Sequence, residues 1–341
     1  MAFRINKSEE VYFIAEAGLN HNGKIEIAHN LIEIAHTAGA QAIKFQKRTI
    51  SELATKEVLD TEDNRFPFLG KTYREIRENL EFSYDQYREL LEHAKSLDLD
   101  FIVTPFDIKA VEFLAPLNLD VYKIASHSVR NLDLIKRISE TGKPIILSTG
   151  MSTVEEIDAA VGIINMSKVD LYLLHCVSSY PTEDKDVNLR VINFLQDRYK
   201  VIVGYSGHEI DDLASTISVT LGSRIIERHI TLNRSLEGFD HKLSLEPEEL
   251  KILIEKIRRI EQILGSSEKK LLDSELIARN KYNVSMVSLG EIKKGTVLLE
   301  QDITWKNPGT GISRAERKDY LGRRVLMDIQ SDILLRPEMF E

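Results

Sequence analysis

KVIVGYSGHEIDDLASTISVTLGSRIIERHIT, residues 200–231, decides the fold of this chain. An apolar run of strand length (200–207) leads into a segment with helical spacing (211–221), and a second apolar run (223–231) follows at once. This is one β–α–β unit, and both of its strands end in residues that carry chemistry: Ser206 and His208 on the first, His229 on the second.

Working outward, six further runs of the same kind lie upstream: VYFIAEAG (11–18), AQAIKFQ (40–46), DFIVTPF (100–106), VYKIAS (121–126), PIILSTG (144–150) and LYLLHCVS (171–178). None alternates strictly between apolar and polar, as expected of parallel strands buried on both faces. Segments with helical spacing separate them, at 26–38, 85–96, 107–114, 132–141, 154–165 and 188–197, and a final one spans 247–264. Gly39 follows the first as a C-cap candidate. Eight such units predict a (β/α)8 TIM barrel over residues 1–265, whose strand ends converge on one face where such enzymes place their active sites. The long connection 47–82 is either a lid or a surface insertion.

Residues 266–282 are polar and charged, include a helical stretch and read as a linker. The tail, 283–341, reads as a small β-rich domain with a faint internal repeat: Ile292, Gly295, Val297, Leu298 and Ile303 recur 37 positions on as Ile329, Asp332, Leu334, Leu335 and Phe340. Two similar halves predict a compact pseudo-symmetric module, near the lower size limit for folding alone.

Composition narrows the function. With 43% hydrophobic and 29% charged residues the chain is an ordinary globular protein. A net charge of −9 without a long basic run argues against nucleic-acid binding. The single cysteine, Cys176, excludes an internal disulfide and fits a reducing cytoplasm. No signal peptide and no apolar run of membrane-spanning length is visible, so no membrane partner is expected.

The strand ends describe two kinds of site. His208 and His229, on adjacent strands, form either half of a divalent-metal site or two structural histidines. Glu16 is a carboxylate available to a bound water or a substrate hydroxyl, and Asp240 is close enough in sequence to His229 to join it. Lys44 and Lys123 are costly on buried strands unless paired with an anion. With Thr104, Ser126, Ser148 and Ser206 they describe a phosphate or carboxylate pocket; the alternative is an ion pair of one lysine with Glu16 or Glu227. No nucleotide-binding glycine loop is present.

AEAGLNHNG (15–23), IKFQ (43–46), YKIAS (122–126), ILSTGMST (146–153), SSYPT (178–182), GYSGHE (204–209), ERHITL (227–232) and GFDHKLSLEPEEL (238–250) together resemble the sialic acid synthases. The tail, with IKKGTVLLEQDITWKNPGTGIS (292–313) and YLGRRVL (320–326), resembles the antifreeze-like (SAF, β-clip) domain of that family, and GKTYREIRENLEFSYDQYREL (70–90) resembles its animal branch. The resemblance implies a C–C bond-forming transferase that condenses phosphoenolpyruvate with an N-acylated hexosamine such as N-acetylmannosamine. The product is a nine-carbon 2-keto acid, and inorganic phosphate is released. It places a manganese or magnesium ion on His208 and His229 as a Lewis acid for the sugar aldehyde. Lys44, Thr104, Lys123, Ser126, Ser148, Ser178 and Ser206 become the phosphoenolpyruvate shell, with Tyr180 among the substrate-binding residues and Glu16 and Asp240 among the catalytic ones. It also implies a domain-swapped homodimer.

Three positions depart from the family pattern. Ser128 stands where an acidic residue is usual, with His127 before it as a replacement. Asn307 stands where bacterial members carry an arginine for the sugar's acyl group, Arg314 lying seven residues on. Ser178 replaces an asparagine, as in the animal branch. The competing readings are a legionaminic, pseudaminic or 9-phosphate product, a metal-dependent pyruvate aldolase, and a non-catalytic sugar-binding relative.

Overall fold

The structure is a computed structural model that describes residues 4–341. It divides into two compact units, one ending at Gly265 and the other spanning Ser266–Glu341.

In the first unit the eight apolar runs are eight strands: β1 (Tyr12–Gly18), β2 (Ala42–Lys47), β3 (Asp100–Pro105), β4 (Tyr122–Ile124), β5 (Ile145–Ser148), β6 (Leu171–Cys176), β7 (Ile202–Gly207) and β8 (Ile225–His229). They pair in sequence order, all parallel, and β8 closes on β1. This is the (β/α)8 barrel that the sequence predicts. Helices follow the strands, and their ends carry the expected signals. Gly39, in the left-handed region at φ 87°, caps the helix Ile25–Ala38, and Thr153 with Glu156 forms a capping box on Val154–Met166.

Side chains on a strand alternate between its faces, and in a closed barrel those faces are the lumen and the helix layer. The inward set packs as one apolar cluster that includes Tyr12, Ile14, Ala42, Ile102, Val121, Ile146, Leu174 and Ile225. The outward set, including Phe13, Ile43, Phe45, Val103, Leu147, Leu173, Val203 and Ile226, joins the larger core under the helices. Two residues further along each inward row stand Glu16, Lys44, Thr104, Lys123, Ser148, Cys176, Ser206 and Glu227, all buried. The lumen is therefore apolar below and ionic above.

The helix-facing side of β7 and β8 holds a charge of its own. Arg228, 1% exposed, donates from Nη1 to Glu209 Oε1 (3.0 Å), Ser215 Oγ (3.0 Å) and the Asp211 carbonyl (2.8 Å), and from Nη2 to the Glu209 carbonyl (2.6 Å). Tyr205 and Ser215 complete the shell of Glu209. Because Glu209 follows His208 and Arg228 precedes His229, this pair fixes the backbone from which both imidazoles project.

In the second unit, the helix Leu276–Tyr282 lies in the segment read as a linker, and its Asn280 carbonyl accepts from the Gly309 amide at 2.7 Å. Regular strand is limited to β9 (Ser285–Ser288) and β10 (Ile303–Lys306), which pair antiparallel. Isolated bridges supply the rest, among them Ile292 with Ile329 and Val325 with Phe340. The repeat is physical: Ile292, Ile329, Leu298, Leu335, Ile303 and Phe340 share one core. At the matched turn positions both Gly295 (φ 83°) and Asp332 (φ 65°) take left-handed backbone.

Replacing Arg228 with Met leaves Glu209 buried without its countercharge, which costs about 3–5 kcal/mol. Urea denaturation of Arg228→Met is expected to show that loss, and the double variant with Glu209→Gln is expected to recover part of it.

Candidate functional site

The ionic layer opens into a cavity of about 240 Å³ at the C-terminal end of the barrel. Of the residues singled out in the sequence, Glu16, Lys44, Lys123, Ser126, Ser148, Ser178, Tyr180, Ser206, His208, His229 and Asp240 all line it. Thr104 does not; it stands behind Lys44, whose Nζ lies 3.4 Å from its Oγ1.

Barrel register explains the juxtaposition. Glu16 on β1 is opposite Lys44 on β2 and His229 on β8, and Ser206 on β7 is opposite Glu227 on β8. Both lysines line the cavity, and both are paired with carboxylates. Lys44 Nζ lies 3.0 Å from Glu16 Oε2 and 3.4 Å from Glu227 Oε1, and Lys123 Nζ lies 3.6 Å from the same Glu227 oxygen and 2.6 Å from Ser148 Oγ. Burial pulls the Lys44 ammonium toward a lower pKa, but Glu16 and Glu227 outweigh it and its pKa is raised. Lys123 goes the other way: burial, with Lys44 nearby, outweighs Glu227 and its pKa is lowered. Burial would raise Glu227, yet the two lysines hold its carboxyl well below the usual range.

Hydroxyls face this layer from β4 to β6. Ser126 Oγ accepts from the Gly150 amide at 3.0 Å. A Cβ at Gly150 would come within 2.6 Å of Ser178 Oγ and 2.8 Å of Ser126 Oγ, so glycine keeps these hydroxyls close together. At the fourth strand end, His127 and not Ser128 lines the cavity, Ser128 being buried with its Oγ 3.0 Å from His127 Nε2. Partial burial, then Arg48 and Lys123, hold the His127 pKa down to about 4, so its ring is neutral at pH 7.

The two site histidines lie with ring centroids 5.5 Å apart, and Tyr180 stacks on His208 at 4.1 Å. His208 Nδ1 donates to the Val177 carbonyl at 2.8 Å, which leaves Nε2 as the nitrogen with a lone pair. His229 Nδ1 is buried without a hydrogen-bond partner, its nearest anion being Asp240 at 3.7 Å. Burial keeps His229 toward the neutral form against the pull of Asp240 and Glu16. His208 goes the other way: burial pulls its pKa down, but Cys176, the Val177 carbonyl and Glu227 outweigh it and its pKa is raised. With both rings deprotonated, the two imidazoles, one with an orphaned nitrogen, are a donor set that fits a divalent cation. No group of three or more metal-type side chains occurs among the described residues, so substrate and water would have to fill the other positions, as in an open catalytic site.

Three hydrogen-bonding or charged lining residues, Gln46, Arg48 and Arg77, escaped the sequence reading. Gln46 donates from Nε2 to Glu16 Oε1 at 2.6 Å, and Arg48 donates to Gln46 Oε1. Both follow Lys44 at steps of two, so strand alternation would have found them. Arg77 comes from the long connection after β2, and no pattern in the sequence marks it. That connection forms part of the cavity wall: its Leu69, Ile76 and Leu80 pack with Leu19, and Phe66 and Phe239 flank them.

Residues 31–269 match the NeuB family. This chain belongs to the NeuB family. An uncharacterized protein of Methanocaldococcus jannaschii, MJ1065, is 40% identical over 332 residues, covering 97% of this chain and 95% of its own. The N,N'-diacetyllegionaminic acid synthase of Campylobacter jejuni is 37% identical over 337 residues, covering 96% of this chain and 99% of its own. The N-acetylneuraminate-9-phosphate synthase of Drosophila melanogaster is 37% identical over 350 residues, covering 95% of this chain and 94% of its own. The sequence resemblance to the sialic acid synthases is thus borne out for this NeuB chain.

His21, in the loop after β1, is 2% exposed, stacks on Phe82 at 4.3 Å and accepts the Gly23 amide on Nδ1 at 3.1 Å. Burial, then the Arg48 charge, lowers its pKa from 6.5 to about 3. A folded-state pKa below the unfolded one makes this contribution complete above pH 6.5 and progressively lost as pH falls toward 3. The drop in melting temperature between neutral and mildly acidic buffer is expected to shrink in His21→Gln; an equal drop in both proteins would refute the assignment.

Proposed function

We propose that this chain condenses phosphoenolpyruvate with an N-acylated hexosamine to give a nine-carbon 2-keto sugar acid and inorganic phosphate. The observation that carries this reading is the buried layer in which Lys44 pairs with Glu16 and shares Glu227 with Lys123, directly beside His208 and His229. A small, highly charged anion and an electrophilic carbonyl can be held side by side there. The synthases named among the relatives support the same reaction class.

In this reading Lys44 and Lys123, with the hydroxyls of Ser126, Ser148, Ser178 and Ser206, bind the phosphate and carboxylate of phosphoenolpyruvate. Thr104 supports Lys44 from behind, and Tyr180 packs against the substrates. The methylene carbon of phosphoenolpyruvate forms the new bond to the sugar's aldehyde carbon, and the aldehyde oxygen takes up a proton. Water adds at the former enol carbon, and that carbon's bond to the phosphate oxygen breaks. Glu16, held between Lys44 and Gln46 beside His229, and Asp240, facing His229, are the carboxylates placed to hold or move those protons. A manganese or magnesium ion held by His208 and His229 would supply Lewis-acid polarisation of the aldehyde. His127 at the cavity edge presents a neutral ring to sugar hydroxyls where Ser128 is withdrawn.

Phosphate release from phosphoenolpyruvate, measured against a panel of N-acyl hexosamines with and without manganese, tests the reaction; a pyruvate aldolase releases none. Loss of several kcal/mol of transition-state stabilisation in the variant His208→Ala/His229→Ala corresponds to a fall of about a thousandfold or more. Calorimetry of the same variant is expected to show manganese binding lost, and full retention of binding and turnover would overturn the ligand assignment. We also infer a homodimer, and sedimentation showing a fully active monomer would contradict it.

A further inference from the structure

The cavity holds more positive charge than its lysine–glutamate layer accounts for. Arg48, 7% exposed, lies flat on Phe106 with its guanidinium carbon 3.7 Å from the ring centroid. One amino group donates to Gln46; the other, Nη1, is buried with no hydrogen bond, its nearest carboxylate oxygen being Glu81 Oε1 at 3.9 Å. Glu81 is already engaged through its other oxygen, which accepts from Lys47 Nζ at 2.7 Å and from the Arg48 amide at 3.2 Å.

Arg77 approaches from the helix Tyr73–Asn79 and lies between Tyr73 (5.0 Å) and Phe239 (4.4 Å). Its Nε is buried without a hydrogen-bond partner, and among the described residues it has no carboxylate within ion-pair distance. Burial and then the Arg77 charge push the Arg48 pKa down to about 10, so the two cations feel each other directly. Aromatic faces hold both guanidiniums in fixed orientation over one cavity, with orphaned N–H groups and one already committed carboxylate. Such an arrangement is costly until an anion arrives.

The pair also lies on a different arc of the mouth from two of the hydroxyls. Ser148 ends β5 and Ser178 follows β6, whereas Arg48 follows β2, Arg77 lies on the β2–β3 connection, and its stacking partner Phe239 follows β8. In the closed ring β8 to β2 and β5 to β6 are separate arcs, with Ser126 after β4 between them. Glu16 and His229 lie on β1 and β8 and His208 follows β7, the arc next to the arginines, so the remote end of an acceptor whose aldehyde is held there has the arginines within the same cavity.

We propose that Arg48 and Arg77 form an anion subsite that selects an acceptor sugar carrying a phosphate monoester at the end remote from its aldehyde. This rests on the condensation reading given above. The acceptor would thus come from a reaction that phosphorylates a hexosamine or epimerises a phosphorylated one.

The test compares N-acetylmannosamine with its 6-phosphate, using full-length wild type, Arg48→Gln, Arg77→Gln and Arg77→Lys, with product followed by mass. Each charged hydrogen bond lost should cost about 1.5–3 kcal/mol, or about tenfold to a hundredfold. Wild type is therefore expected to favour the 6-phosphate by that order. Arg48→Gln and Arg77→Gln should raise its KM by a similar factor with KM for phosphoenolpyruvate unchanged, and Arg77→Lys should recover part. A rise in KM for phosphoenolpyruvate instead, or no preference in wild type, would overturn the subsite. If neither sugar turns over, the condensation reading fails and calorimetry still decides the subsite. Binding of the 6-phosphate that is lost in Arg77→Gln supports it, and binding equal to that of the unphosphorylated sugar refutes it.

Discussion

Two lysines and two glutamates buried in one layer of the barrel are the constraint around which the rest of the site is arranged. An isolated charge at that depth is expensive, and each of these four is tolerated only because another stands beside it. Glu227 is the shared member, within 3.4 Å of Lys44 and 3.6 Å of Lys123. The pairing depends on barrel closure, since Glu16 meets Lys44 through β1–β2 and His229 through β8–β1. An incoming anion must compete with carboxylates already in place. That favours a compact ligand of high charge, which offers each lysine a stronger partner than the one it has.

Much of this was legible in the sequence because the fold and the chemistry obey the same alternation. Double-sided burial makes each strand a continuous apolar run, and the first polar inward residue marks the mouth. Lys44, Lys123, Ser148 and Ser206 all announce themselves in this way. Gln46 and Arg48 obeyed the rule too, but they lie at and beyond the end of the apolar run, where attention to strand pattern stops. Glu227 obeys the rule as well, but that it serves two lysines at once depends on β2 and β4, which are distant from it in sequence. Arg77 was not legible, since its place over the mouth is set by the packing of Leu69, Ile76 and Leu80 against Leu19. The helical stretch expected within residues 266–282 is the helix Leu276–Tyr282, but the backbone contact that ties it to Gly309 is not encoded by composition.

The cavity therefore has walls of two different kinds. Its floor is made of strand residues whose positions are fixed by register, and any shift there disturbs the whole barrel. Its rim on the β2 and β8 side is made of connection residues, Arg77 and Phe239 among them, supported by a small separate apolar cluster. A stack of Arg48, Phe106 and His127 leads from this rim to the end of β4, with His127 and Phe106 centroids 4.6 Å apart. A substitution in the rim can therefore leave the floor intact, whereas one in the floor cannot leave the barrel undisturbed.

The duplicated turn of the small unit has a consequence for how that unit comes apart. Its halves do not form separate lobes. Ile292 exchanges backbone hydrogen bonds with Ile329, Val287 bridges to Leu334, and the matched residues of both halves fill one core. Neither half has an interior of its own, so neither can persist once the other has melted. Partial fraying has no stopping point, and the unit is lost in a single cooperative step.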